Sequence, residues 1–494
     1  VRTSHLDVGE GARALLRSVA IAGAALAIVA FAVFAHTVHP AIAIGGTVVI
    51  SAAAYLGNRA LAVTMLLAAA LFQNLVVSLA SPEITVGDFD LARAYSFLML
   101  ATIWPLAYGE HWIRFRGLSA ATDRHLLVTS AALGAIGLYL LIGMVSSPSS
   151  AVIYLRNVAT GLLLYQIALI AMRRETLRLQ TVIAILAALV AGCGYVELLF
   201  RAEWLRFTQG EAYWALSMAD ATVTSYWDKQ AAETGVVMLG LVDTFRITLF
   251  NTPLLAGLDI QLSRLFGPNM HAISFGYALA FLSVYALFTA RYVLAAALVP
   301  LLVLTSVKGA IIVVASTGLG WVLSRLFGTR LAFGCLVALL VVYSAVGIVV
   351  GRQIGDFHVL GLMGGVFNFL EFPIGHGLGA GGNLNIDFAT LNWPEYQAAG
   401  RTPFAMESAV GVLLYQMGFS TAFLLGVYVW LAWRTTLIAA RTRDPLHLAV
   451  GFALLAIVFN GLFQEEALFS PLAIGLPLLL CGLIHGATFR TNGL

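Results

Sequence analysis

The sequence predicts an all-α fold: a polytopic helical membrane protein with about fourteen transmembrane helices and two large periplasmic loops. Three observations carry that expectation. Of 494 residues, 60% are hydrophobic and only 10% charged, against about 25% charged in an ordinary soluble domain. So little charge cannot cover a water-facing surface, and most of the surface must face lipid. Apolar runs recur from Ala14 to His485, each close to the roughly 20 residues that cross a ~30 Å hydrocarbon core. Arginines collect in alternate short loops, as expected of a chain that crosses a membrane repeatedly.

Taken in order, Arg13 and Arg17 lead into the first run, 14–36, which has no obvious cleavage site and is expected to stay as an anchor. Runs 39–56 and 60–80 flank a turn with Arg59, and run 91–108 precedes Arg114, Arg116 and Arg124. Runs 126–146 and 151–171 meet at an uncharged turn, and 180–200 follows Arg173, Arg174 and Arg178. Four runs follow at 270–289, 292–306, 309–327 and 331–350, and three more at 408–433, 446–464 and 468–487. With this count Arg59, Arg291, Arg325, Arg330, Arg434, Arg441, Arg443 and Arg490 join the other arginine-bearing loops on one side. The positive-inside rule makes that side, and both termini, cytoplasmic. The chain therefore divides into an N-terminal bundle of about seven spans (1–200), a first periplasmic segment (201–269), spans eight to eleven (270–350), a second periplasmic loop (351–407) and the last three spans (408–494).

Long connections without structure of their own are uncommon unless they have a role. Both long segments are rich in aromatics, among them Trp204, Tyr213, Trp214, Tyr226, Trp227, Trp393 and Tyr396, and short interfacial helices are expected within them. Those rings are expected as an interface belt, with sugar stacking as the alternative. Val236–Leu262 is apolar but broken by Asp243, Arg246, Asn251, Pro253 and Asp259, and reads as a re-entrant or surface-lying amphipathic piece. Cys193, Cys335 and Cys481 lie within or beside apolar runs and suggest neither a disulfide framework nor a metal site.

Polar chemistry concentrates on the side without arginine-rich loops. Ser263-Arg-Leu-Phe-Gly-Pro-Asn269 leads to the eighth span, and Thr305-Ser-Val-Lys308-Gly joins spans nine and ten. The second long loop holds Gly375-His376-Gly-Leu-Gly379-Ala-Gly-Gly-Asn383 and closes on Glu407-Ser408 before a run through Gly418. The glycines do not make a nucleotide loop, because no strand precedes them. Together these stretches, over roughly 260–435, resemble the O-antigen ligase and polymerase family of bacterial envelope glycosyltransferases. This chain has Lys308 where that family tends to have arginine, which keeps the charge without the bidentate fork.

The resemblance implies a metal-independent transferase without cofactor in the bacterial inner membrane, its site on the periplasmic face. It would act on undecaprenyl-diphosphate-linked glycan, with an acceptor glycan or lipid as second substrate, membrane lipids and a chain-length regulator as partners, and no nucleic acid. Polymerisation of lipid-linked repeat units into O-antigen or exopolysaccharide is the expected reaction. The alternatives are ligation of finished glycan to lipid A core and, in another class, a lipid-linked oligosaccharide flippase. Arg264, Lys308 and Arg156 would hold the diphosphate. His376, or else Glu407, would take the acceptor proton, and Asn269, Asn383, Arg401 and Glu465 are the expected substrate contacts.

Several of these residues also have structural readings. Arg156 lies inside a span, where a charge is costly, and could pair with Glu197. Arg264 could anchor the interface, His376 pack its loop, and Glu407 favour the start of span twelve. Asn269 and His271 read most simply as helix-start residues, and Glu465 and Glu466 as water-facing or acceptor-binding.

Overall fold

The structure is a computed structural model and describes residues 8–114, 116–217, 246–249, 260–385 and 391–491. It is an all-α, multi-pass membrane architecture. Among the described residues, ten helices are long and apolar enough to cross a membrane, and four further apolar helices are shorter. The main helices are α1 (Val8–Val38), α2 (Pro40–Gly57), α3 (Arg59–Ala80), α4 (Tyr95–Arg114), α5 (Ala120–Ser146), α6 (Pro148–Arg174) and α7 (Gln180–Leu199). They continue with α8 (Ala272–Phe288), α9 (Tyr292–Leu304), α10 (Lys308–Phe327), α11 (Thr329–Ile354) and α12 (Phe357–Glu371). The last four are α13 (Ala409–Met417), α14 (Ser420–Thr442), α15 (Pro445–Asn460) and α16 (Leu476–Thr491).

A helix that is apolar all round belongs inside a bundle, and α15 is such a helix: every residue from Leu448 to Ile457 is buried. Around it stand α8, α10, α14 and α16, and α6 packs along α16. At the periphery, Val341, Val342, Val346 and Val349 of α11 and Leu138 and Leu141 of α5 stay exposed for lipid. Helix ends at the arginine-rich face are tied together by charge. The Glu110 carboxylate at the end of α4 takes Arg59 from α3 at 2.8 Å and Arg174 from α6 at 3.5 Å. The arginine loops that the sequence assigned to one side thus do meet.

Every expected run falls on helix, but the long connections differ from expectation. Span twelve is not continuous: the chain turns at Gly418, between α13 and α14, with φ +51°. A Cβ there would lie 2.1 Å from the Pro373 carbonyl oxygen, so this close approach requires glycine. The second long loop contains α12, an apolar helix packed on α13. The expected interfacial helices occur at Arg201–Phe207, Gly210–Ser217 and Trp393–Ala399. Within Val236–Leu262, Arg246–Thr248 pairs antiparallel with Gln261–Ser263, a β-hairpin where an amphipathic or re-entrant piece was expected; the rest of that stretch lies outside the described residues, apart from Leu249 and Ile260. Short alternating segments with Thr and Gln facing each other suit strand pairing better than an apolar helix face.

The Gly375–Gly382 stretch is threaded into the bundle. His376 and Gly377 donate their N–H groups to the Tyr415 and Gln416 carbonyls at 3.0 and 2.9 Å, and Leu378 donates to Tyr139 at 2.9 Å. The approach to α5 is so close that a Cβ on Gly143 would sit 2.0 Å from the Leu378 carbonyl oxygen. Gly143→Val should therefore force the loop off α5, at about 1–3 kcal/mol. A drop in the thermal midpoint in detergent checks this, and an unchanged midpoint would contradict the packing.

Candidate functional site

Where the chain leaves the bundle opposite the arginine-rich face, six distant segments enclose a cavity of about 390 Å³. α3 contributes Gln73 and Asn74, the short stretch before α4 Asp90 and Arg93, and α6 Arg156 and Asn157. The turn before α8 brings Asn269 and His271, the glycine loop ends on Asn383, and the stretch before α16 brings Glu465 and Glu466. The floor is apolar, with Leu66, Leu100 and Leu164. From Arg156 to Leu164 the wall follows one helix for about 12 Å at 1.5 Å per residue. Beside the cavity, Pro471–Gly475 is wound as a π-helix, a form that recurs at functional sites.

Backbone hydrogen bonds fix the walls. Asn74 donates to the Asn269 carbonyl at 2.8 Å, and Asn269 donates back to the Leu71 carbonyl at 2.8 Å. The turn carrying Asn269 is in turn clamped by Glu197 of α7. That carboxylate accepts N–H groups of Phe266 at 3.2 Å and Gly267 at 2.6 Å, and pairs with Arg201 at 3.3 Å. Glu197 therefore does not pair with Arg156, the alternative weighed from sequence; the two anchors it needs are supplied by the turn itself.

The cavity's charges are only partly neutralised. Arg93 stands 3.8 Å from Asp90, and both lie within electrostatic reach of Arg156. Among the described residues, the Arg156 guanidinium makes neither an ion pair nor a side-chain hydrogen bond, and the same holds for the Glu466 carboxylate. Glu466 acts electrostatically on Arg264 and His271. Burial lowers the His271 pKa and the Glu466 charge opposes that shift. Its Nδ1 faces the start of α8, 3.3 Å from the Ser274 N–H. Glu465 differs from its neighbour: it is buried and accepts the Tyr154 hydroxyl at 2.8 Å. Burial, reinforced by Glu466 and Glu407, pushes its pKa up to about 8.

Of the residues picked from sequence, Arg156, Asn269, Asn383 and Glu465 line the cavity; Arg264, Lys308, His376, Glu407 and Arg401 do not. Arg264 bonds through Nε to the Thr305 carbonyl at 3.1 Å, joining the two motifs around spans eight and nine. Lys308 opens α10 with an exposed side chain. The His376 ring does not stand clear of bulky neighbours, as the flanking glycines suggested. It is sandwiched between Phe372 and Tyr415, at 4.7 and 4.5 Å between centroids, because the threaded backbone leaves its side chain between those two rings. Arg401 pairs with Glu371 at 3.7 Å.

Glu407 sits just behind the cavity. Its Oε1 accepts from Asn383 Nδ2 at 3.1 Å, its own N–H donates to Asn383 Oδ1 at 3.1 Å, and Oε2 is 3.6 Å from His358. The expected helix-start role falls instead to Ser408, whose hydroxyl accepts the Gly411 N–H. Glu407 itself has φ +59°, a conformation that costs a non-glycine residue of order 1 kcal/mol or more. Its two bonds to Asn383 hold it there. Burial raises its pKa, against the opposing His358.

Sequence reasoning missed Asp90 and Asn157 as cavity groups, gave Arg93 no role, and read Glu466 as either water-facing or acceptor-binding. A legible signal was the Arg156-Asn157 pair, two polar residues inside an otherwise apolar run. Comparison with protein-family models, curated proteins and solved structures returned no match.

Glu465 gives a pH test. Its folded pKa of about 8 exceeds the ordinary 4.5, so the folded state binds more protons between those values and stability falls as pH rises through them. The thermal midpoint should decline from about pH 4.5 to 8, and Glu465→Gln, which preserves the Tyr154 bond without ionising, should flatten the decline. An identical slope in the variant would contradict the assignment.

Proposed function

We propose that the protein is a glycosyltransferase that polymerises lipid-linked oligosaccharide repeat units from an undecaprenyl-diphosphate donor. The observation that carries the reading is Arg156: a cation inside a helix bundle, without an ion pair among the described residues, in the wall of a cavity that also holds a carboxylate without one, Glu466. Intramembrane charges are retained for function or pairing, and an arginine fork suits a phosphate group.

In this reading Arg156 and Arg93 hold the donor diphosphate and stabilise the charge it gains on leaving. The acceptor hydroxyl of a second lipid-linked unit approaches from the Asn157 and Asn269 side. Glu466 takes its proton as the new bond to the donor's anomeric carbon forms and the bond to the diphosphate oxygen breaks. The products are the lengthened glycan and free polyprenyl diphosphate. Glu407 positions Asn383 at the rim, and Arg264 tunes Glu466. His376 is assigned to packing of the glycine loop, so the base role passes from His376 to Glu466. The positive-inside rule then puts the cavity on the periplasmic side of the bacterial inner membrane and both termini in the cytoplasm.

The test is chain lengthening by purified protein given undecaprenyl-diphosphate glycan. Arg156→Ala should lower the rate about 10²–10³-fold, and Glu466→Gln about 10²–10⁴-fold. His376→Phe should keep most activity. Wild-type rates in Arg156→Ala would defeat the donor site, and loss of activity confined to the His376 variant would return the base role to it. Lipid movement between leaflets with no new glycosidic bond would favour a flippase, and glycan passed only to lipid A core a ligase.

A further inference from the structure

A second cavity, of about 200 Å³, opens at the other end of the bundle. Its polar side is formed by His111, Arg173, Arg174 and Arg490, and its apolar side by Leu118, Ile170 and Phe489. Arg156 and Arg173 belong to the same helix, 17 residues apart, which is roughly 25 Å at 1.5 Å per residue. The two cavities are therefore separate.

The local carboxylates are already engaged. Asp123 meets His111 at 2.9 Å and the Gly117 N–H at 2.8 Å, and reaches Arg173 only through a longer-range attraction without an ion pair. Glu110 binds Arg59 and Arg174, and Glu175 stands 3.9 Å from Arg59. Among the described residues, that leaves Arg173 and Arg490 without an ion pair or a side-chain hydrogen bond. Both are only half-exposed. Two cations converging on a cavity that no carboxylate lines call for an external anion.

The surroundings say which anion. Leu118 at the rim is 63% exposed, and nearby Trp112 and Ile113 are 51% and 82% exposed. Arg116 lies over the Trp112 ring at 3.7 Å, an arrangement typical of the headgroup level, where aromatic rings and basic side chains meet. Half of the cavity is hydrocarbon. A small soluble phosphate would fill the polar half and leave the apolar half wet, whereas a lipid fills both.

We infer that this cavity binds the phosphodiester headgroup of an anionic phospholipid, with Arg173 and Arg490 on the phosphate and the first acyl carbons against Leu118, Ile170 and Phe489. Basic pockets between transmembrane helices recognise anionic headgroups by this combination of charge and shape. The site is independent of the proposed transferase chemistry.

The experiment is thermal unfolding of the full protein in neutral detergent with added phosphatidylglycerol, phosphatidylethanolamine or glycerol 3-phosphate. Phosphatidylglycerol should raise the midpoint by several degrees, well beyond phosphatidylethanolamine, and glycerol 3-phosphate should do little. Arg173→Gln combined with Arg490→Gln should abolish the difference between the two lipids, while the double lysine replacement should keep most of it. Should the double glutamine variant fail to fold, Arg490→Gln alone should lose at least half of the difference. A full phosphatidylglycerol effect in the glutamine variants would overturn the site. An equal effect from glycerol 3-phosphate would overturn the lipid as occupant, and an equal effect from phosphatidylethanolamine the anion selectivity.

Discussion

Everything in this molecule is arranged around the cost of an unpartnered polar group away from water. Inside a bilayer no solvent rescues a lone donor, acceptor or charge, and the bundle meets that constraint with local networks. Gln166 in the middle of α6 accepts from Trp104 at 2.7 Å and donates to Thr129 at 2.8 Å and Ser130 at 3.0 Å. His485 on α16 bridges Tyr165 at 2.8 Å and Thr435 at 3.1 Å. Glu197 is neutralised by two backbone N–H groups and Arg201. Against that background Arg156 and Glu466 stand out as two opposite charges that share one cavity without an ion pair to any described residue.

The same constraint explains the architecture around the cavity. A loop carried into a helix bundle must bond its backbone to something. The Gly375–Gly382 stretch does so by donating to the Tyr139 carbonyl of α5 and to carbonyls at the end of α13. Contact that close excludes side chains at several points, so the glycines serve packing, and the chain emerges with Asn383 at the cavity rim and Glu407 bound to it. Glu197 does the equivalent for the turn that carries Asn269. Two structural devices thus deliver Asn269 and Asn383, 195 and 309 positions from Asn74, to one small volume.

Much of the fold was legible because lipid imposes one simple rule: about twenty apolar residues make a span. Fourteen runs were read from the sequence and all coincide with helix, and Arg59 and Arg174 meet at Glu110 as the charge pattern implied. Hydropathy could not reveal the break at Gly418, which arises from the approach of Pro373 and is invisible locally. Nor could it distinguish α12 from a loop, since Phe357–Glu371 is only 15 residues long. The site was half legible. Arg156 announced itself as a charge in an apolar run, and Asn269 and Asn383 came with their glycine turns. His376 misled because flanking glycines suggest freedom locally while the tertiary threading removes it. Glu465 and Glu466 could not be told apart in the sequence, because which of two adjacent carboxylates stays unpaired depends on Tyr154, more than 300 residues away.

The central claim is that the Arg156 cavity receives a lipid-linked diphosphate. Cryo-electron microscopy of the protein bound to undecaprenyl diphosphate tests it most directly. The account predicts headgroup density between Arg93 and Arg156, with Glu466 facing the position of the departed sugar. Density beside Lys308 and His376, with the Arg156 cavity empty, would contradict it.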